Sequence, residues 1–322
     1  LSTMAAIQPS FDNIRAAKID GVMSYSEDKY DGVIINSHHL PTLSEFENML
    51  HTSIAYWRSI KRRGVWLKIP IERSELVPLA VSAGFVFHHA EKEYLMLNHW
   101  LSDEENRMPA NATHQVGIGS VVIHNGKILA VQEKNGPLRG TGIWKMPTGL
   151  ADAGEDICDT AEREVYEETG IKTEFISVLS IRQSHTALFG KSDLFFICLL
   201  RPKTIEINMQ AAEIIACEWL DADIFLKQRF FQKSPIFTLV NDHVQDIVRT
   251  VANDPAWGGS IPAEKGLEET RVNPFPPVPS FVKSKLPNGI RPGESVLFHM
   301  PIATTATSGN GSSTASTSNV LL

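Results

Sequence analysis

Apolar positions in the first hundred residues follow two rhythms. Gly32 to Asn36 (Gly-Val-Ile-Ile-Asn) is a short apolar run bounded by polar residues, which predicts a buried strand. From Ser44 the spacing becomes helical, with Phe46, Leu50, Ile54 and Trp57 on one face and a capping box between Ser44 and Glu47. Gly64 stops that helix, and Val65 to Ile71 predicts the next strand. A second helix follows Ser74, with Leu76, Leu79, Ala80 and Ala83 inward and Gly84 at its C-terminus. Phe85 to Trp100 then divides into two strands around the polar turn Glu91 to Glu93. The pattern describes a small α/β domain over residues 25–108, preceded by an extension over 1–24.

Asp103 to Ala112 is polar, carries Pro109, and is expected to be a linker. Beyond it the strands lengthen. Gln115 to His124, Lys127 to Glu133 and Ile143 to Leu150 are strand-like, and Asn125-Gly126 predicts a tight hairpin between the first two. A helix is predicted from Asp156 to Glu168. Strands follow at Glu174 to His185, Asp193 to Arg201 and Ile214 to Leu220, and then an amphipathic helix from Pro235 to Val251. These elements form a second domain, residues 109–254. From 255 to 322 the chain is first proline-dense (Pro274 to Pro279) and then uncharged and Ser/Thr-rich after Pro301. Such a tail is expected to be largely disordered, with Ser295 to Met300 available as an added edge strand.

Composition narrows the options. The formal net charge of −7 gives no overall basic surface, so nucleic acid and acidic membrane are not expected partners. The longest strongly apolar run, Leu194 to Leu200, is too short to cross a bilayer. The three cysteines, Cys158, Cys198 and Cys217, share no metal-ligand spacing and predict neither a disulfide framework nor a zinc site. A reducing, cytoplasmic location is expected. The chain opens on Leu1 with its first methionine at Met4, so an incomplete N-terminus and an organellar address stay open.

The chemistry is concentrated between Gly149 and Ile171. Glu164 lies three residues before Glu167 and four before Glu168, so a helix puts all three carboxylates on adjoining surface. Like charges at that spacing cost a few tenths of a kcal/mol per pair on an open helix. In a partly screened cleft at ~4 Å, each pair costs about 4 kcal/mol. A divalent cation reverses the sign, and hard carboxylate donors suit Mg²⁺ or Mn²⁺. Ala161 and Val165, one turn apart, give the same helix an apolar side. A solvated acidic face balanced by Arg163 would show the same glutamate spacing.

The full segment decides between them by resemblance. Gly149, Glu155, Arg163, Glu164, Val165, Glu167, Glu168, Gly170 and Ile171 fill every specified place of the Nudix family signature. The resemblance implies an α/β/α sandwich with a mixed sheet and metal-dependent hydrolysis of nucleoside diphosphate derivatives. Carried onto this chain, it makes Glu164 and Glu168 the principal metal ligands. Glu167 becomes a ligand directly or through water, and the Gly149 carbonyl a further one. Arg163 is expected to orient Glu164 by a bidentate hydrogen bond, and Glu155 to brace the loop-helix joint or reach a second metal through water. Glu213, before the strand Cys217-Glu218-Trp219-Leu220, is a candidate base or ligand.

Ser180 to His185, Phe189 to Asp193 and Trp144 to Gly149 are similar to one branch of the family. That branch contains plant ADP-ribose and NADH pyrophosphatases and the animal Nudix protein encoded antisense to a fibroblast growth factor gene. Tyr30 to Val33, Gly64 to Lys68 and Phe87 to Ala90 look like its pre-Nudix, acetyltransferase-like domain. The branch implies a small-molecule nucleotide substrate, ADP-ribose or NADH, with AMP released. His185 and Lys191 are candidate phosphate contacts, equally explained by hydrogen bonding within their loop. The alternatives are a Nudix-fold protein that binds nucleotide without turnover, and an acetyltransferase. Lys61-Arg62-Arg63-Gly64 lacks the second glycine of an acyltransferase pyrophosphate loop. The first domain carries Trp57, Trp66, Phe85, Phe87 and Trp100, more aromatic surface than so small a core readily hides. Some are expected to face a neighbouring domain or a second subunit, with a homodimer favoured over packing of all five inside the module.

Overall fold

The computed structural model describes residues 19–185, 188–233, 235–251 and 257, and the backbone of two strands at 282–287 and 294–299. It divides into two compact units between Gln115 and Val116.

The first unit contains strands β1 (Tyr25–Glu27), β2 (Val33–Ile35), β3 (Gly64–Pro70), β4 (Val86–Glu91) and β5 (Tyr94–Trp100), with helices α1 (Leu43–Ser59) and α2 (Val77–Ser82). The sheet order is β1-β2-β3-β5-β4, parallel only between β2 and β3. Helix α1 buries the predicted face of Phe46, Leu50, Ile54 and Trp57 against Val33, Val65, Leu67 and Leu97. Each such side chain contributes about 1.5–3 kcal/mol. The capping box differs from expectation: Thr42 and Glu45 close it, not Ser44 and Glu47. Both pairs have the right spacing, and starting at Thr42 adds half a turn while still burying Phe46 completely.

The expected linker is fastened down. Glu104 pairs with Arg63 at 2.8 Å and accepts at its backbone oxygen from the Trp100 indole, while Met108 lies on Gly64, where a Cβ would come within 3.1 Å. His88 Nε2 meets the Pro109 carbonyl at 3.0 Å, and a carbonyl only accepts, so that nitrogen carries a proton. His88 Nδ1 must then accept from His89 Nδ1 at 2.6 Å, which leaves His89 Nε2 to accept from the Tyr94 hydroxyl at 3.3 Å. A bulge in β4 between Phe87 and His89 lets the two adjacent imidazoles meet.

The second unit is built on β6 (His114–His124), β7 (Lys127–Glu133), β8 (Thr148–Leu150), β9 (Thr173–Ser184), β10 (Ser192–Pro202) and β11 (Ile214–Asp221). Helices α3 (Ile157–Thr169), α4 (Ala222–Leu226) and α5 (Pro235–Val251) complete it. The sheet order is β11-β7-β6-β10-β9, with β8 paired to β6. Strand alternation sends neighbouring residues to opposite faces, and both faces are covered. Ile118, Val122 and Leu129 pack with Ala161 and Val165 of α3. Val121, Ile123 and Ile128 pack with Phe225 and Leu226 of α4 and Val244 and Ile247 of α5. The result is the expected α/β/α sandwich. Asn125 and Gly126, both at positive φ, make the predicted hairpin turn.

Two expectations in this unit change. The strand predicted over Ile143 to Leu150 shrinks to β8. Trp144 bonds the Gln228 side chain in both directions, Lys145 bridges to Val131, and Pro147 offers no N–H for a continuous ladder. Helix α4 went unforeseen because five residues are too few to show a period; the Asp221 side chain caps it. In the tail, Glu294–His299 (β13) pairs with Val282–Pro287 (β12) in a separate two-stranded sheet, not along the larger one. Pro274 to Pro279 and the run after Pro301 lie outside the described residues. No described helix is long and apolar enough to cross a membrane. Cys158 and Cys198 are buried, and burial pushes the Cys198 thiol up to about 12.

Candidate active site

Helix α3 is docked by Cys158, Ala161 and Val165, which are wholly buried. That docking leaves Glu164 partly covered, Glu167 exposed, and Glu168 turned almost entirely inward. Gly170 ends the helix in the left-handed region, where a Cβ would also lie 2.8 Å from Asn208.

Arg163 organises the exposed side of this arrangement. Nε and Nη2 form a fork on Glu155 at 2.7 and 2.8 Å, and Nη2 also reaches the Leu150 carbonyl at 3.1 Å. Nη1 donates to Glu164 at 2.7 Å and to Glu167 at 3.1 Å. A guanidinium has five N–H donors, and each of them has an acceptor here. The fork therefore belongs to Glu155, contrary to the expectation that Arg163 would grip Glu164 in a bidentate way. Adjacent helical residues point about 100° apart, so Glu164 reaches only one nitrogen, whereas Glu155 approaches from the preceding loop. Both oxygens of Glu155 are engaged, and the Asp152 N–H adds a third bond at 3.1 Å. The carboxyl is held well down, at about 2, chiefly by the Arg163 hydrogen bond. This places Glu155 at the loop-helix joint.

Gly149 explains where Glu164 sits. A Cβ at this position would fall 1.9 to 2.2 Å from the Glu164 carboxylate atoms. The carboxylate thus rests directly on the strand backbone, with burial pushing its pKa up against the pull of Arg163. Glu168 is 5% exposed, and its Oε2 has no hydrogen-bond partner. Burial pushes its carboxyl up to about 7; Lys145 pulls the other way, while Glu164 and Glu213 add to the rise.

Two residues that the sequence reading gave no role complete the inward side. Lys145 Nζ lies 2.8 Å from Glu133 Oε1, 2.7 Å from Thr148 Oγ1 and 4.0 Å from Glu168 Oε1. A lysine inside an otherwise apolar run was the one signal for it. Glu213 is exposed at the start of β11, near enough for its charge to act on Glu168. His185 Nδ1 contacts Ser192 Oγ at 2.9 Å, a bond between the ends of β9 and β10. Lys191 is half-buried in the same connection. Among the described residues, Asp156, Cys158 and Asp159 bring three potential ligand atoms within 4.8 Å of one another, which the glutamates of α3 do not. They stand at the start of α3, where the helix dipole favours carboxylates without an ion.

A profile described as the Nudix hydrolase domain matches residues 23–101, and one described as the NUDIX domain matches 113–239. Nudix hydrolase 2 of Arabidopsis thaliana is 48% identical over 217 residues, which is 67% of this chain and 78% of that protein. The chain belongs to the Nudix hydrolase family. Nudix hydrolase 8 of the same plant is 45% identical over 228 residues, 70% of this chain and 62% of its own length. The human nucleoside diphosphate-linked moiety X motif 6 is 44% identical over 209 residues, and the match spans 65% of that protein.

Nudix hydrolases act on nucleoside diphosphate derivatives and use divalent metals such as Mg²⁺ or Mn²⁺. The residues of this Nudix hydrolase fit such an ion. Glu168 carries a buried oxygen without a partner, Glu164 lies against the Gly149 backbone in a cradle a side chain would fill, and every donor atom is oxygen.

Proposed function

We propose that this Nudix hydrolase splits the pyrophosphate bond of ADP-ribose, NADH or a close relative, releasing AMP. The observation that carries the reading is that the Glu164 carboxylate is seated on Gly149, near enough for its charge to act on Glu168, whose Oε2 is buried without a hydrogen-bond partner. Glu164, Glu168, Glu167 and the Gly149 carbonyl are the groups that would hold Mg²⁺ or Mn²⁺. A bound ion there supplies Lewis acidity toward pyrophosphate oxygens and water.

The chain's own residues do the rest. Arg163 fixes Glu164 and Glu167 through one nitrogen and is itself braced by Glu155, so the carboxylates are oriented before substrate arrives. Glu213, exposed and near enough for its charge to act on Glu168, is the proposed base for the attacking water. The choice of substrate rests on the similarity of Ser180 to His185 and Phe189 to Asp193 to the ADP-ribose and NADH branch. The name of the human relative, nucleoside diphosphate-linked moiety X motif 6, supports a nucleoside diphosphate derivative as substrate. His185 and Lys191 remain proposed phosphate contacts.

Residues 25–108 are proposed as the pre-Nudix domain and 109–254 as the catalytic domain of a cytoplasmic homodimer. Trp57 and Phe85 are inside the first unit, but Val86 and Phe87 on the edge strand β4 are 58% and 65% exposed, which supports a partner at that edge.

The test is a panel of ADP-ribose, NADH, dinucleoside polyphosphates and nucleoside triphosphates, each with Mg²⁺, Mn²⁺ or excess chelator. AMP release from ADP-ribose or NADH, abolished by chelator, is expected. Preference for triphosphates with release of pyrophosphate would overturn the substrate class, and binding without turnover would overturn the enzymatic reading. The mass of the same preparation in solution reports the dimer.

A further inference from the structure

We infer that Lys145 is a substrate-contacting residue that holds an anionic oxygen of the pyrophosphate, and that Glu133 positions it. This rests on the pyrophosphatase reading and adds two residues from outside the signature segment.

The geometry is that of a preset cation. The Lys145 backbone is fixed by two hydrogen bonds to Val131, both at 2.9 Å. Its side chain is 14% exposed, and the ammonium is drawn from two sides by Glu133 Oε1 and Thr148 Oγ1. An ammonium has three N–H donors, and these two contacts use two of them. Glu168 Oε1, at 4.0 Å, is too far to accept the third. The remaining donor and its charge stand beside Glu168, one turn along α3 from Glu164.

A purely structural ion pair would use the groups it buries. Here Oε2 of Glu133 and Oε2 of Glu168 are buried without a hydrogen-bond partner, and the Lys145 ammonium has Thr148 Oγ1 and Glu133 Oε1 within reach but not Glu168. The lysine's spare N–H is met when an anionic oxygen enters beside it, whereas the two carboxylate oxygens only accept and call for a cation or a proton. A pyrophosphate supplies such an anionic oxygen, and lysine is suited to it as a compact point charge. Glu133 ends β7 and lies against the loop that follows it: a Cβ on Gly136 would come within 2.9 Å of its Oε2. Its ion pair with Lys145 at 2.8 Å fixes where the ammonium stands.

The experiment uses the full chain with Lys145→Met, Lys145→Arg, Glu133→Gln and the double variant Glu133→Gln/Lys145→Met. Three quantities are measured: kcat and KM with ADP-ribose and Mg²⁺, the affinity for AMP and inorganic pyrophosphate in chelator, and the melting temperature. For Lys145→Met we expect KM to rise at least tenfold and pyrophosphate binding without metal to weaken by a similar factor. Lys145→Arg restores part of both. Glu133→Gln shows a smaller loss of the same kind, and the double variant is no worse than Lys145→Met alone, because Glu133 acts through the lysine. If Lys145→Met does not fold, the double variant, which removes the unbalanced Glu133 charge, carries the same comparison. Unchanged KM and pyrophosphate affinity with only a lowered melting temperature would show a structural ion pair and overturn the inference. A wild-type chain that binds pyrophosphate through Lys145 yet hydrolyses none of the panel would overturn the pyrophosphatase reading and leave this inference standing.

Discussion

Replacing Gly149 by alanine separates catalysis from folding in this protein. The new Cβ would lie 1.9 to 2.2 Å from the Glu164 carboxylate, more than 1 Å inside ordinary van der Waals contact at 3.4 Å. Gly149 is not in the left-handed region, so its backbone accepts alanine, and what must yield is the far end of a flexible side chain. Moving it breaks the 2.7 Å bond from Arg163. A charge-assisted hydrogen bond contributes about 1.5–3 kcal/mol, partly offset by the 0.4–1 kcal/mol that Gly→Ala gains through the unfolded chain (about 1–2 kcal/mol net loss). For a domain of this size that is a fall of a few degrees in Tm. Function is far less tolerant, since a displacement of ~1 Å in a positioned catalytic group costs about 100-fold in rate. The assay pairs thermal unfolding by circular dichroism with AMP release from ADP-ribose under saturating Mg²⁺. We predict kcat/KM at least about 100-fold below wild type with Tm within roughly 5 °C. Activity within fivefold of wild type would refute the claim that Glu164 works from its seat on Gly149.

Two further outcomes follow from the same network. Arg163→Lys leaves three donors where five are engaged and cannot fork onto Glu155, so affinity for Mn²⁺, measured by titration, should fall about 10–100-fold; unchanged affinity would deny Arg163 its orienting role. Glu168 titrates near 7 in the fold and near 4.5 when unfolded, so folding favours its protonated form, and the associated stability is complete below pH 4.5 and lost as pH rises through 7. In chelator, Glu168→Gln should therefore gain about 3 kcal/mol over wild type between pH 4.5 and 8 by urea titration. Parallel stability curves across that window would contradict the buried position of this carboxyl, with its Oε2 unpartnered.

The rhythm of apolar residues was enough to place most strands and helices, because the 2.0 and 3.6 periods are properties of the backbone alone. Alternation along β6, β7 and β10 even encodes a sheet covered on both faces, as Val121 against Val122 and Cys198 against Leu199 show. The signature segment was equally legible, since Glu155, Arg163, Glu164, Glu167 and Glu168 lie in one loop and one helix, where spacing translates into position. Tertiary structure decided what spacing cannot carry. Thr42 and Ser44 both offered a cap, and the burial of Phe46 allowed the earlier one. Arg163 had three glutamates within reach, and the approach of the loop gave its fork to Glu155. Glu133, Lys145 and Glu168 come from a strand end, an irregular segment and a helix. Their meeting around one ammonium depends on how β7, the 143–147 segment and α3 pack, and no local period records that.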